Sequence, residues 1–129
     1  RTFSEVALPG GSRYTLSTSV ADVDGDGFVD IVVGNSDELL TAENQILFGS
    51  ADGRTFSEVA LPGGSRYTLS TSVADVDGDG FVDIVVGNSG EENQVFFGSA
   101  GRRTFSEGAL PGGSRDTIST SVADVDGDV

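Results

Sequence analysis

Carboxylates recur on a fixed schedule in this chain. Asp22, Asp24, Asp26 and Asp30 hold positions 1, 3, 5 and 9 of the stretch DVDGDGFVD, and Asp75, Asp77, Asp79 and Asp83 hold the same positions of an identical stretch. A third cluster, Asp124, Asp126 and Asp128, begins the pattern, but Val129 stands where the other two have glycine. Like charges this close repel by roughly 1 kcal/mol per pair even at the dielectric of water, and by more as water is excluded. A loop that turns them inward needs a cation. A hard, oxygen-seeking divalent ion with several coordination places, calcium, suits such a set. Alternate spacing lets a tight loop aim positions 1, 3 and 5 at one centre. Gly27 and Gly80 at position 6 permit the left-handed backbone of the sharp turn. The carbonyls of Phe28 and Phe81 at position 7 are then expected to point inward while their rings go to the core, with Asp30 and Asp83 closing the shell. The expectation is two complete calcium sites and an incomplete third.

Other loops open with the same letters. An EF-hand needs a bidentate glutamate at position 12 and flanking helices; position 12 here is Val33 or Val86, inside an apolar run. The nine-residue calcium repeats of parallel β-rolls have far too short a period. Magnesium remains the alternative ion, with a stricter octahedral demand and more retained water. Asp-Gly pairs also form good turns with no ion at all. Two complete patterns, each between strand-like segments, favour the calcium reading.

These loops must be positioned by repeats. Residues 1–36 recur unchanged at 54–89, and a third copy starts at Arg103 with Gly108, Asp116 and Ile118 in place of the equivalents of Val6, Tyr14 and Leu16. The spacings are 53 and 49 residues, and the difference falls between Asn35 and Asn44 in one copy and Asn88 and Asn93 in the next. A length change confined to one polar segment marks a surface loop. The period is that of a four-stranded propeller blade.

Local patterns agree. Thr15–Val23 is β-branched and alternating; Phe28–Asn35 is a short apolar run ended by Gly-Asn; Asn44–Ser50 is another; Thr55–Gly64 closes on Pro-Gly-Gly. Asp37–Gln45 is the one helix candidate, about one turn. The chain is expected to be all-β, with four-stranded antiparallel blades in tandem. The division is an orphan last strand at 1–13, a blade at 14–66, a second at 67–115, and at 116–129 the first strand of a third. That gives ten strands, about two and a half blades, and no ring closed by one chain.

Composition limits what such a chain does. The net charge is −14, with seven arginines and no lysine or histidine, and the three clusters supply eleven of the 21 acidic residues. Such a surface repels nucleic acid and anionic membranes. The hydrophobic share of 36% and eight phenylalanines argue for a folded core. Absence of cysteine excludes disulfides and thiolate metal sites. No apolar run is long enough to span a bilayer. A chain that opens on Arg1 and lacks methionine reads as processed, excised or part of a longer one.

DVDGDGFVDIVVGNS followed by ILFGSADGRTF or VFFGSAGRRTF resembles the FG-GAP/VCBS repeat, the blade unit of integrin α-subunit propellers and of many bacterial secreted proteins. The resemblance implies a structural calcium loop between the first two strands of a blade, with ligands Asp22, Asp24, Asp26, Phe28 and Asp30, then Asp75, Asp77, Asp79, Phe81 and Asp83. Gly34-Asn35-Ser36 stands where that family often has Gly-Ala-Pro. Propellers of that family usually have about seven blades, so the present chain implies a part of a longer array, an oligomer, or a head-to-tail filament.

Catalysis is not expected. With no histidine or cysteine, acid–base or nucleophilic chemistry would fall to aspartates that the ion already occupies. Two readings remain. One is an extracellular or cell-surface structural protein whose calcium rigidifies blades that self-associate. The other is an adhesive or lectin-like propeller for glycan or protein. Only the equivalent Tyr14 and Tyr67 offer aromatic platforms beyond phenylalanine, and they are expected simply to pack. The hydroxyl-rich SRYTLSTS is read as a glycosylated or solvated strand face. No Asn-x-Ser/Thr or Arg-Gly-Asp sequence is present. Weak extracellular calcium modules work at about 10⁻⁴–10⁻³ M, which places the protein outside the cytoplasm.

Overall fold

The structure, a computed structural model, describes residues 2–36, 42–101, 103–114, 116–117 and 119–123. Among the described residues eight strands form: β1 (Thr15–Ala21), β2 (Asp30–Asn35), β3 (Glu43–Phe48), β4 (Ser57–Ser65), β5 (Thr68–Ala74), β6 (Asp83–Asn88), β7 (Gln94–Phe97) and β8 (Ser106–Ala109). They make two antiparallel sheets in chain order, β1-β2-β3-β4 and β5-β6-β7-β8, so each repeat is one up-and-down blade. The fold is all-β, as the repeat period implies, and the two sheets do not close on themselves.

Burial explains the strand types. The Ile-Val-Val runs of β2 and β6 are covered on both faces, and β6 is buried along its whole length. Such strands read as continuous apolar segments instead of alternating ones. The core draws on both blades: Val23, Val32, Ile46, Phe48 and Leu61 meet Ile84, Val86 and Phe96. β4, an outer edge, is mostly exposed and tolerates polar letters.

Several expectations change here. Pro62-Gly63-Gly64 does not stop β4 but sits inside it as a bulge. Glu43 pairs with Ser65 while Gln45 pairs with Ala60, and Gly63 and Gly64 carry positive φ. An edge strand accepts proline because its amide faces away from the ladder. In the helix candidate, residues 43–45 belong to β3, paired to β4, and residues 37–41 lie outside the described ones. Ladder pairing along Glu43–Gln45 outweighs a propensity signal only one turn long. Residues 2–13 and the described residues of 116–123 carry no strand ladder, so the eight strands among the described residues belong to the two blades; part of the expected strand at 116–129 lies outside the described residues. A strand needs a neighbour, and no described residues supply one to either segment.

The hydroxyl-rich segment turns one face to the next blade: Ser17 and Ser19 are half-buried, while Thr15 and Thr18 stay exposed. Ser17 and Ser19 of β1 both lie on Thr71 of β5, at 3.1 and 2.9 Å between hydroxyls, and Ser19 also donates to the Thr71 carbonyl at 2.8 Å. The same stitch recurs one blade later, where Ser70 and Ser72 meet Thr120 at 2.8 and 2.9 Å. Gly34 and Gly87 let the next strand approach: a Cβ there would lie 2.9 Å from a methyl of Thr68 or Thr117. A second seam lies at the far end of each blade. Asn35 is fully buried, accepts from Thr15, and donates to the Glu43 carbonyl and to Gln45. Asn44 reaches across to Thr68 at 2.8 Å, and Asn93 reaches Thr117 at the same distance. Gly-Asn is therefore a buried polar clamp inside the strand end, not a turn.

Candidate metal centre

Each acidic loop links the first two strands of its blade, β1 to β2 and β5 to β6. The chain leaves β1 at Ala21, turns twice with Gly25 and Gly27 in the left-handed region, and re-enters the sheet at Asp30. Gly78 and Gly80 repeat the conformation. Backbone amides fold the carboxylates into place. Asp22 accepts from Asp26 at 3.0 Å and Gly27 at 2.9 Å, Asp24 accepts from Asp26 at 3.1 Å, and Asp26 accepts from Phe28 at 2.9 Å. In the second loop Asp75 accepts from Gly78, Asp79 and Gly80, Asp77 from Asp79, and Asp79 from Phe81.

Asp30 and Asp83 do more than terminate the loop. Asp30 is fully buried, with Oδ2 accepting from Val23 at 2.7 Å and Oδ1 from Gly49 at 2.8 Å. Asp83 does the same with Val76 and Gly98. Loss of hydration pushes the Asp30 carboxyl above the usual carboxylate range, although the Gly49 and Val23 amides pull the other way. Asp77 is raised as well, by lost hydration first and then by the charges of Asp79 and Asp83. Both shifts mark sites where an extra negative charge is unwelcome without a counter-charge.

One carboxylate oxygen from each of Asp22, Asp24 and Asp30 falls within 4.8 Å of the others, and Asp75, Asp77 and Asp83 do likewise. Three hard oxygen donors at that separation can surround a divalent cation and fit neither thiolate-seeking nor imidazole-seeking metals. Asp26 and Asp79 stand outside these triads, bonded instead to the amides of Phe28 and Phe81. Phe28 and Phe81 are each 39% exposed and are not part of the core cluster. Each loop projects past the end of its sheet, so a ring two residues before the strand lies beyond the packed layers. Tyr14, expected to pack, is 76% exposed just ahead of β1, and only its carbonyl is engaged, by the Ser36 amide. The third cluster, Asp124, Asp126 and Asp128, lies outside the described residues.

Among the described residues, the first loop has a neighbour that the second lacks. Arg103, at the turn between β7 and β8, sets its Nε 2.7 Å from Asp24 Oδ2 and its Nη2 3.8 Å from Asp26 Oδ2. Its guanidinium also rests 4.2 Å above the Phe48 ring. The sequence holds no local sign of this, because 79 residues separate the partners. Sequence reasoning also missed the reason for the Phe-Gly pairs. A Cβ on Gly49 would stand 2.2 Å from the Val29 carbonyl oxygen, and on Gly98 2.3 Å from that of Val82. Glycine is what lets the loop's last aspartate reach an amide across the blade.

A family profile, the FG-GAP-like repeat, matches residues 22–86 and 75–128. The chain belongs to the FG-GAP-like repeat family. No match was found among curated proteins. Each match of the FG-GAP-like repeat opens on the first aspartate of an acidic loop, Asp22 or Asp75. The loop, the Phe-Gly pair and the four-stranded sheet therefore stand as one recurring unit. FG-GAP-like repeats are typically extracellular, and among the described residues no helix is long and apolar enough to cross a membrane.

Proposed function

We propose that this FG-GAP-like chain is a non-catalytic, extracellular calcium-binding repeat protein whose ions rigidify blades that associate with further blades of the same kind. The observation that carries the reading is the pair of carboxylate triads, each with three oxygens inside 4.8 Å. Two ions would take the formal charge from −14 to about −10. Calcium is favoured over magnesium because the loop offers many flexible oxygens and leaves Asp24 and Asp30 buried, where strict octahedral hydration is hard to keep.

Association is supported by the face that β1 turns outward. Leu16 and Val20 are 51% and 63% exposed, whereas their counterparts Leu69 and Val73 on β5 are partly covered by the first blade. A blade of the same repeat fits that face, whether from a second copy or from more of a longer chain. Melting the protein with calcium and then with excess chelator tests the ion. A rise in melting temperature with calcium, saturating at two ions per chain, is expected, and curves that superimpose would defeat the reading. Size-exclusion chromatography and negative-stain images in calcium test association. Regular polymers or discrete oligomers are expected, and a monomer at all concentrations would remove that part.

A further inference from the structure

Arg103 touches one acidic loop from the neighbouring blade, and among the described residues no guanidinium is paired with the other loop. We propose that Arg103 is an exchangeable counter-ion for loop 22–30, so that the two loops fill in order, 75–83 before 22–30, and loading of loop 22–30 releases Arg103. This inference rests on the cation-binding reading above and concerns which residue governs it.

Four observations converge. The Asp24 side chain is only 3% exposed, so its charge in the empty loop needs an internal partner, and Arg103 supplies it at 2.7 Å. The same guanidinium lies 3.8 Å from Asp26, which spreads one positive charge over two carboxylates. Arg103 itself is 47% exposed, so its head can move to water once an ion takes over the charge of Asp24. Beside the loop is a cavity of about 300 Å³ walled by Asp22, Asp24, Gly80, Phe81 and Ser99, which gives a displaced side chain and incoming water room to pass. A divalent ion on the remaining oxygen of Asp24 would sit within one side chain's width of the guanidinium. Their repulsion in a partly dry site penalises joint occupancy. Loop 75–83 is more exposed, and among the described residues no guanidinium pairs with it.

Calcium isotherms separate the loops. Asp77→Asn, at an exposed position, removes a ligand from loop 75–83 and leaves loop 22–30 to be read alone in the full chain. Its residual site is expected to bind about tenfold more weakly than the tight site of the parent, and adding Arg103→Gln should tighten it about tenfold. Arg103→Lys should keep the weak affinity, since the charge and not the fork is the competitor. Unchanged or weakened binding in the Arg103→Gln protein overturns the inference. A second readout is independent of the isotherm. In chelator the Arg103→Gln protein should melt below the parent, and in saturating calcium the difference should close. A difference that persists in calcium makes Arg103 a merely structural contact and overturns the inference too. If neither the parent nor the Arg103→Gln protein takes up calcium, the cation reading itself falls and carries this inference with it.

Discussion

The carboxylate of Asp30 and the amide of Gly49 meet at 2.8 Å, closing the acidic loop against the end of β3. The contact spans 19 residues and is repeated by Asp83 and Gly98. It joins the acidic-loop motif to the Phe-Gly motif in one physical object, because the loop's last carboxylate sits on an amide that only a glycine backbone leaves accessible.

Gly49→Ala is therefore expected to be costly. The added methyl would stand 2.2 Å from the Val29 carbonyl oxygen, a backbone atom that cannot swing aside. Denaturant unfolding should show a loss of about 2 kcal/mol or more. Gly53→Ala, a left-handed glycine with open space around it, should cost only about 1 kcal/mol. Equal costs at the two positions would discount the close approach.

Asp30→Ala and Asp22→Asn should separate scaffold from ligand. Asp30 answers amides from two directions in a fully buried site, so its removal strands donors and should cost about 3 kcal/mol even in chelator. Asp22→Asn keeps one amide acceptor and should lower chelated stability by less than about 1 kcal/mol while abolishing calcium uptake at that loop. Chevron or urea curves with and without calcium decide between these profiles.

Thr71→Val removes a hydroxyl without changing shape and leaves Ser17 and Ser19 without that partner. A loss of about 1–2 kcal/mol is expected. More telling is cooperativity: calorimetry should show a broadened or split transition, as the blades begin to melt separately.

Asp52 gives the pH dependence its sign. The Thr55 hydroxyl first, then the Arg54 and Thr55 amides and the Ser50 hydroxyl, hold its carboxyl well below the usual range. A depressed folded pKa contributes stability that is present above the unfolded value of 3.8 and lost as the pH falls through the lower folded one. The turn between β3 and β4 should thus stay closed down to acid pH and then open. Amide shifts of Arg54 and Thr55 should follow that titration, and Asp52→Asn should abolish it. The matching turn of the second blade has Gly101 in this place and should lack the response.

What the sequence discloses here follows from distance along the chain. The acidic loops are local: their carboxylates lie within nine residues, so spacing alone points to a common centre. The four-stranded blade and its strand order are legible because the repeat fixes the period and the apolar runs fix the buried strands. The hydroxyls of Ser17 and Ser19 look like a surface in the sequence, since their partner Thr71 is more than 50 residues away. Arg103 was silent for the same reason. Phe28 and Phe81 misled because an aromatic at a strand entry usually points to a core, but these loops overhang the sheet end. Pro62 misled because a breaker inside an edge strand can be absorbed by a bulge.

The junction between blades has a consequence for growth. It is stitched by the same serine and threonine letters at each step and by a glycine that clears the way for a methyl. Such a coupling recognises the type of its neighbour and not its identity, so any blade can follow any other. Duplication could lengthen an array of this kind by whole units without inventing a new contact, and the ordinal place of a blade would be recorded nowhere in the seam.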